Sequence, residues 1–393
     1  MEKMHAPTTY VSHLACSKCG QEFDIKSLQT FATCCERPLI VRYNFLDLGK
    51  EELIGRPLNM WRYREVLPVI HDENIVSLSE GMTPILDMPR LSQQYGLRTV
   101  KLKDEGLNPT GSFKSRGLSM AVSKAKELGV TECVIPTAGN AGGALSAYCA
   151  RAGMKVTVLM PDITPVIFQE ECKFYGADLI LVDGLIDRCG ELSKEVQERT
   201  GAFNMSTLKE PYRIEGKKTM GYEIAEQLNW QLPDVIIYPT GGGTGLIGIW
   251  KAFKEMVELG WIHEEDLPKM VVVQTENCAP VVKYIHGQEI DEATIKRSIA
   301  NGLAVPKAFG RDLIKETVEE SNGYAITVSE DQIYESTLEI GSQEGISVAT
   351  EGGAIWAALK DLVSDGRVKS DEKILLLNTG SGNKYLENLR NYH

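Results

Sequence analysis

The sequence predicts an α/β protein with two doubly wound parallel-sheet domains and a small cysteine-bearing ribbon at its N-terminus. Strand-like segments alternate with segments of helical periodicity from residue 99 onward, which is typical of parallel sheets covered by helices on both faces. The 393 residues are enough for two or three domains, and the cysteine pattern near the start of the chain differs from the rest. We expect a ribbon over 1–45, a smaller α/β domain over 100–205, and a larger one formed by 46–99 and 206–393.

The individual elements follow from short apolar runs, which predict strands, and from apolar residues at helical spacing, which predict helices. The expected strands span residues 99–103, 133–135, 155–160, 179–182, 235–238, 270–274, 325–328 and 374–377. The expected helices span residues 118–128, 141–152, 165–175, 187–198, 212–229, 246–259 and 351–363. A further helix is expected after Ser329, because Ser329 and Gln332 have the spacing of a capping box.

The composition excludes several classes of function. A formal net charge of −12 argues against broad nucleic-acid binding, although a small anionic ligand needs only a local cluster of donors. Apolar runs are strand-sized, so we expect no membrane span. Residues 1–10 lack a signal-peptide pattern, and we expect a cytoplasmic protein. Nine cysteines, five of them in apparent core segments, indicate a reducing compartment rather than a disulfide framework.

The N-terminal cysteines leave two interpretations open. Cys16 and Cys19 form a C-x-x-C-G knuckle, and Cys34 and Cys35 begin fifteen residues after Cys19, where a zinc ribbon would have a second knuckle. Cys16, Cys19 and Cys35 are therefore candidate zinc ligands. However, Ala32 occupies the position at which a second C-x-x-C would begin, and adjacent cysteines rarely serve one metal well. The interpretation that we favour from the sequence is a small ribbon without a metal.

Lys114 lies in a turn-rich segment, residues 108–117, which we call the lysine loop. The loop leads into the helix expected from Leu118, so Lys114 lies near a helix N-terminus, where the dipole disfavours a cation. A lysine in such a place loses some preference for the ammonium form, and a neutral amine is what Schiff-base chemistry requires. Taken alone, the residue is more simply interpreted as a surface lysine in a turn.

Three further loops follow expected strands at 137–140, 240–245 and 378–383. Because ligands of doubly wound sheets bind beyond the carboxyl ends of the strands, these loops and Lys114 are the candidate site. We call residues 241–245, with the sequence Gly-Gly-Gly-Thr-Gly, the glycine loop. Its backbone N–H groups could wrap around a phosphate at a helix N-terminus, and side chains would block that approach.

The glycine loop also admits two other interpretations. Gly243, Gly245 and Gly248 form a G-x-G-x-x-G motif after a strand, and Glu276 follows the next strand. This combination matches a dinucleotide-binding fingerprint. A turn that binds no ligand is the other alternative. A nicotinamide-type enzyme would keep its nucleotide affinity after Lys114→Ala, whereas Schiff-base chemistry would not survive that change.

The motifs of the chain, taken together, resemble those of the threonine synthase family of fold-type II pyridoxal-phosphate enzymes. The resemblance covers nearly the whole chain. It rests on the N-terminal ribbon, Arg62-Tyr63-Arg64, Ser79-Glu80-Gly81-Met82-Thr83-Pro84, Leu107 to Lys114, Arg213-Ile214-Glu215-Gly216-Lys217-Lys218-Thr219, and Asn378-Thr379-Gly380-Ser381-Gly382.

The resemblance implies a role for each matching position. Lys114 would form the Schiff base with pyridoxal 5′-phosphate and move protons at the substrate Cα. The other cofactor-binding positions would be Asn140 at the ring hydroxyl, Gly241, Gly242, Gly243, Thr244 and Gly245 at the phosphate, and Thr379 at the pyridine nitrogen. The substrate-binding positions would be Thr137 and Gly139 at the carboxylate, with Arg213 and Ser112 at a substrate phosphate. The resemblance also implies an amino-acid substrate and a homodimer.

Departures from the family pattern keep the substrate open. Ser115 stands where threonine synthases usually carry Asp, and the glycine loop and residues 300–306 are closer to serine and threonine ammonia-lyases. Glu210 is expected to repel a phosphate-bearing substrate. The leading prediction is conversion of O-phosphohomoserine and water to threonine and phosphate. The alternatives are β-elimination or β-replacement on a serine- or threonine-like amino acid, and a cofactor-binding protein without catalysis.

Overall fold

The computed structural model describes residues 9–46, 48–184 and 186–392. The chain forms two compact units. The first unit contains residues 9–82 and 114–222, and the second contains residues 83–113 and 223–392. The chain therefore enters the second unit briefly, returns at Lys114, and leaves the first unit a second time after Tyr222.

The strands and helices are numbered in chain order. The strands are β1 Val11–Cys16, β2 Glu22–Phe23, β3 Leu39–Tyr43, β4 Ile85–Asp87, β5 Thr99–Asp104, β6 Glu132–Pro136, β7 Lys155–Pro161, β8 Asp178–Val182, β9 Phe203–Asn204, β10 Val235–Pro239, β11 Lys269–Thr275, β12 Tyr324–Val328 and β13 Lys373–Asn378. The helices are α1 Pro89–Gln94, α2 Lys114–Glu127, α3 Asn140–Ala152, α4 Val166–Phe174, α5 Ile186–Thr200, α6 Tyr212–Gln227, α7 Thr244–Glu258, α8 Pro280–Ile285, α9 Arg311–Glu320, α10 Glu330–Glu344, α11 Thr350–Ser364 and α12 Leu386–Arg390.

The second unit is built on a six-stranded sheet in the order β12-β11-β10-β13-β5-β4. All neighbouring strands are parallel except the short edge strand β4. Every residue of the central strand β10 is buried, as expected for a strand with helices on both faces. The core on one face is formed by apolar residues of these strands and of α11, which include Val235, Ile237, Val271, Ile355 and Leu376.

The first unit contains a four-stranded parallel sheet in the order β8-β7-β6-β9. A small core of Val134, Leu159, Val182 and Val196 lies between this sheet and α5. The N-terminal ribbon is a three-stranded antiparallel sheet in the order β2-β1-β3. The predicted α/β fold class, with its parallel sheets and cysteine-bearing ribbon, is confirmed.

The predicted elements agree with the structure within two residues at nearly every end, and the Ser329 capping box is present. One difference concerns the site. Helix α2 begins at Lys114 itself rather than at Leu118, because its first turn, Lys-Ser-Arg-Gly, has no apolar residue to show the helical period. No helix in the described ranges is long and apolar enough to cross a membrane.

Candidate active site

The glycine loop joins β10 to α7 in the second unit. Gly243 is the N-cap of α7 and adopts a φ of 75°, a left-handed conformation that favours glycine. A Cβ at Gly243 would lie 2.3 Å from Ile314 Cδ1. The N-cap has no side chain to bond the first N–H groups of the helix, and the helix dipole is positive there, so the loop fits a phosphate.

A buried hydroxyl lies against the same loop. Tyr238 precedes the loop on β10, and a Cβ on Gly245 would lie 1.8 Å from the Tyr238 hydroxyl oxygen. Within the described ranges no group forms a hydrogen bond with this hydroxyl. Burial raises its pKa well above the usual value, so the hydroxyl stays protonated. A bare glycine loop with a buried hydroxyl beside it fits the phosphate end of pyridoxal phosphate.

Thr379 lies at the same edge of the six-stranded sheet as the glycine loop, because β10 and β13 are parallel neighbours that both end there. The Phe113 N–H donates to the Thr379 carbonyl oxygen at 3.1 Å, and the Ser381 N–H donates to the Gly111 carbonyl oxygen at 2.9 Å. The lysine loop is therefore fastened to the segment that carries Thr379. Lys114 is the next residue after Phe113.

Two buried polar contacts fix the ends of β13 and β5. The Asn378 Nδ2 donates to Asp104 Oδ1 at 2.7 Å, and burial raises the pKa of the Asp104 carboxyl group. Lys103 Nζ lies 3.0 Å from a carboxylate oxygen of Glu223, and both side chains are fully buried. Buried charges of this kind are stable only when paired, so these contacts hold the strand ends from which the lysine loop and the Thr379 segment depart.

Lys114, half-buried at the start of α2, lies within a group of cations in the first unit. Arg213 and Lys217, both on α6, are fully buried. Burial lowers the pKa of Lys217 well below its usual value, and the charges of Lys114 and Arg213 lower it further. Such a cluster of buried donors is suited to binding an anion.

The carboxylate of Glu210 lies at the start of α6. Its Oε2 accepts hydrogen bonds from the Tyr212 N–H at 2.8 Å and the Arg213 N–H at 3.0 Å. Complete burial raises the pKa of Glu210 to about 7, against the opposing effect of Arg213. Glu210 therefore caps a helix, and its charge is balanced locally by Arg213, whose Nε lies 4.0 Å away.

The Arg213 guanidinium has one nitrogen without a hydrogen-bond acceptor among the described residues. Its Nη1 donates to the Met205 carbonyl oxygen at 2.7 Å. In the part of the chain that the structure describes, no group accepts a hydrogen bond from its buried Nε. An unbonded, buried cationic donor is costly, and it indicates a place that an anionic ligand would complete.

The loop after β6 presents a second helix N-terminus. Gly139 is the N-cap of α3, which begins at Asn140. The Gly139 N–H donates to Thr137 Oγ1 at 3.3 Å in a local turn. The Thr137 side chain is buried, whereas Asn140 is half-buried. The first N–H groups of α3 can thus bind a carboxylate, in line with the dipole of the helix.

Glu80 is a buried carboxylate whose role the sequence did not reveal. Its two oxygens accept hydrogen bonds from Trp61 Nε1 at 2.9 Å, the Tyr148 hydroxyl at 2.7 Å and the Leu78 N–H at 2.9 Å, and the Ser119 hydroxyl lies 2.6 Å away. Ser119 is on α2 and Tyr148 is on α3. Glu80 therefore connects the two helices that begin at Lys114 and Asn140.

The candidate residues thus fall into three groups. In the second unit, Ser112, the glycine loop and Thr379 lie at one edge of the sheet. In the first unit, Lys114 lies with Arg213 and Lys217, and residues 137–140 follow β6. Sequence reasoning did not select Lys217, although its spacing of four residues from Arg213 places both on one face of a helix.

Comparisons with known proteins agree with these observations. Residues 76–380 match the family model described as pyridoxal-phosphate dependent enzyme. The chain is 34% identical over 377 residues to a threonine synthase of Methanocaldococcus jannaschii, covering 94% of this chain and 92% of the relative. It is 31% identical over 373 residues to a threonine synthase of Methanosarcina acetivorans, covering 94% and 91%.

Solved structures share the fold at lower identity. Maize serine racemase matches with a TM-score of 0.64 and 22% identity, over 76% of this chain and 89% of that chain. A hydrogen sulfide-producing enzyme from Fusobacterium nucleatum matches with a TM-score of 0.62 and 24% identity, over 80% and 98%. The family match favours pyridoxal phosphate over a dinucleotide at the glycine loop. The chain is a pyridoxal-phosphate-dependent enzyme and belongs to the threonine synthase family of fold type II.

Proposed function

We propose that this enzyme converts O-phosphohomoserine and water to L-threonine and inorganic phosphate. Relatives named threonine synthase over most of the chain support this proposal. The structural observation that carries it is the group of buried basic side chains formed by Arg213 and Lys217 next to Lys114, whose charged forms a bound anion would favour. A phosphorylated amino acid would supply a hydrogen-bond acceptor for the buried Arg213 Nε, which lies 4.0 Å from the Glu210 carboxylate and has no acceptor in the described ranges.

The candidate residues described above would hold the pyridoxal phosphate cofactor. We assign Lys114 as the residue that binds it covalently, Asn140 as a ring contact, the glycine loop as the phosphate site and Thr379 as the partner of the pyridine nitrogen. When bound, the cofactor supplies an electron sink for the negative charge that develops at the substrate Cα. A threonine hydroxyl, unlike a carboxylate, leaves the pyridine nitrogen largely unprotonated.

The protein side chains carry out the proton transfers and hold the leaving group. The Lys114 amine removes the Cα proton, and a Cβ proton is lost as the phosphate leaves Cγ with the bonding electron pair. Arg213 and Lys217 stabilise the negative charge on the departing phosphate. Water then adds its hydroxyl group at Cβ, protons return to Cα and Cγ, and threonine is released. Residues 137–140 orient the substrate carboxylate throughout.

The Glu210 carboxylate should repel a phosphorylated substrate less strongly than its position in the sequence implied. Its carboxylate accepts two backbone hydrogen bonds and lies beside Arg213. With a pKa raised to about 7 by burial, it also carries less than a full charge near neutral pH. Its repulsion of a phosphate is therefore partly cancelled.

The second candidate is β-elimination or β-replacement on an unphosphorylated amino acid. It is favoured by the same Glu210–Arg213 contact, because an arginine that already neutralises a carboxylate offers less charge to a substrate phosphate. In that reaction only the Cα proton and a leaving group on Cβ are involved, and the anion site would not discriminate between substrates.

The two candidates are separated by product analysis. The holoenzyme is incubated separately with O-phosphohomoserine, L-serine and L-threonine. We expect equal amounts of phosphate and threonine from the first substrate. Pyruvate or 2-oxobutyrate with ammonia, and no release of phosphate, would instead establish the elimination reaction.

A matched pair of variants tests the anion site. Lys217→Gln is expected to raise KM for O-phosphohomoserine at least tenfold, because one desolvated charge pair contributes more than about 1.4 kcal/mol. Lys209→Gln removes an exposed lysine from the neighbouring segment and should leave KM unchanged. Equal KM values for both variants would remove Lys217 from the proposal.

We also propose that the enzyme is a cytoplasmic homodimer. Light scattering of the holoenzyme would test the dimer.

A further inference from the structure

The N-terminal ribbon brings four cysteines together. The sulfur atoms of Cys16, Cys19, Cys34 and Cys35 all lie within 4.8 Å of one another. The Cys19 and Cys34 sulfurs are 3.5 Å apart. A tetrahedral Zn²⁺ site with Zn–S bonds of about 2.3 Å has sulfur–sulfur separations of roughly 3.8 Å. The four sulfur atoms are therefore spaced as the ligands of one zinc ion would be.

The first pair of cysteines lies in a knuckle at the end of β1. The Gly20 N–H donates to the Cys16 carbonyl oxygen at 3.0 Å and closes the turn. The Lys18 N–H points at Cys16 Sγ, 3.5 Å away. A backbone N–H directed at a cysteine sulfur stabilises the thiolate, which is the form that binds a metal.

The second pair lies in a tight loop before β3. Ala32 and Arg37 form an antiparallel bridge, and the Glu36 N–H donates to the Ala32 carbonyl oxygen at 2.8 Å. Glu36 adopts a φ of 50°, so the chain reverses sharply within the loop. This reversal brings Cys34 and Cys35 to the same cluster although they are adjacent in sequence, which removes the main objection to their binding one metal.

The distribution of the cysteines supports a dedicated site. Cys19 and Cys34 are exposed, and Cys35 is half-buried. The remaining cysteines lie buried in the cores of the two units: Cys133, Cys149, Cys172, Cys189 and Cys278. Cysteines used for apolar packing are buried, so the accessible ones require a different explanation. A ribbon of about forty residues also has too small an apolar core to be stable without further support.

We propose that Cys16, Cys19, Cys34 and Cys35 bind one Zn²⁺ as a closed, structural tetrathiolate site. Binding displaces the thiol protons, and the metal forms four Zn–S bonds without any change of oxidation state. The site would stabilise the ribbon, whose strand β3 ends at Tyr43. The Tyr43 hydroxyl donates to Glu215 Oε2 on α6 at 2.6 Å. The zinc site would thus support the helix that carries Arg213 and Lys217.

The test measures the metal content of the untagged holoenzyme after washing with a chelator. We expect one zinc per chain by elemental analysis, and release of that zinc when an organomercurial titrates four thiols in the folded wild type. Cobalt-exchanged protein should show the sulfur-to-cobalt charge-transfer bands and intense visible bands of a tetrahedral tetrathiolate site. The organomercurial titration does not depend on the folding of any variant.

Cys34→Ser and Cys278→Ala form a matched pair for the ligand assignment. Cys34→Ser should weaken zinc retention at least tenfold and change the cobalt charge-transfer bands, whereas Cys278→Ala should retain one zinc. The proposal is overturned by protein that holds no zinc and takes up no cobalt. A Cys19–Cys34 disulfide, detected by mass spectrometry in protein purified from cells with a reducing cytoplasm, would also overturn it. So would a Cys34→Ser variant that binds metal as the wild type does.

Discussion

The Tyr148 hydroxyl donates a 2.7 Å hydrogen bond to the carboxylate of Glu80, and both side chains are fully buried. Burial raises the pKa of the Tyr148 hydroxyl, and the adjacent Glu80 charge raises it further, so this hydroxyl remains a donor. Ser79 and Met82, on either side of Glu80, have φ angles of 66° and 48°, which are strained for residues other than glycine. The hydrogen bonds of Glu80 hold this strained loop in place.

Loss of the Glu80 acceptor should therefore destabilise the first unit. We expect Glu80→Ala to lower the free energy of unfolding by about 3–5 kcal/mol, because it leaves several buried donors without an acceptor. Tyr148→Phe removes one of those donors and should cost only about 1–2 kcal/mol. Denaturant unfolding of the holoenzyme measures both values. Equal and small losses in the two variants would show that Glu80 does not organise the loop.

The backbones of α2 and α6 lie close together at Gly216. A Cβ there would lie 2.0 Å from the Arg116 carbonyl oxygen and 2.8 Å from Met120 Cβ. Gly216→Ala should push the two helices apart and cost about 1–3 kcal/mol. The same displacement should lower kcat, since Lys114 begins α2.

Gly190→Ala provides the control for this substitution. Gly190 lies inside α5, and a Cβ there would contact nothing within 4 Å. Alanine in a helix interior is favoured over glycine by about 0.5–1 kcal/mol, so this variant should be slightly more stable and fully active. Thermal unfolding and steady-state kinetics of the two variants compare them directly. A Gly216→Ala enzyme that matches Gly190→Ala in both assays would contradict the proposed helix contact.

Burial raises the pKa of Glu210 from its ordinary value of 4.5 to about 7, which predicts a pH-dependent contribution to stability. The folded protein holds this proton more tightly than the unfolded chain. The contribution is therefore fully present below pH 4.5, is lost as the pH rises through about 7, and levels off above the folded-state pKa. Relative to Glu210→Gln, the wild type should lose stability over this window.

Urea unfolding of wild type and Glu210→Gln at several pH values between 4.5 and 8 measures the difference. The Gln side chain keeps the shape of Glu210 but does not titrate. We expect the difference in unfolding free energy to change steadily between pH 4.5 and 7 and to level off by pH 8. A difference independent of pH throughout would mean that Glu210 has an ordinary pKa in the folded protein.

Much of the fold could be predicted from the sequence, because parallel strands buried on both faces are continuous apolar runs. Strand β10 is an example, since it begins with the aliphatic residues Val235, Ile236 and Ile237 and all five of its residues are buried. The glycine loop was also recognisable, as its residues follow a strand and lead into a helix. In these cases the signal is local and lies within a few neighbouring residues.

The features that the sequence did not reveal depend on contacts between distant segments. Glu80 looked like part of a turn, and only its contacts with Ser119 and Tyr148 show that it joins two helices. Lys217 looked like an ordinary helix lysine, since its burial beside Lys114 depends on the approach of α6 to α2. The sequence does not predict Cys34 as a zinc ligand, because its position in the cluster depends on a backbone reversal at Glu36.

The central claim, conversion of O-phosphohomoserine to threonine by water addition at Cβ, is tested most directly by isotope labelling. The holoenzyme is incubated with O-phosphohomoserine in ¹⁸O-labelled water, and both products are analysed by mass spectrometry. Our account predicts one ¹⁸O in the threonine hydroxyl group and none in the released phosphate, because the C–O bond at Cγ breaks. Label in the phosphate with homoserine as the other product, or no phosphate at all, would contradict it.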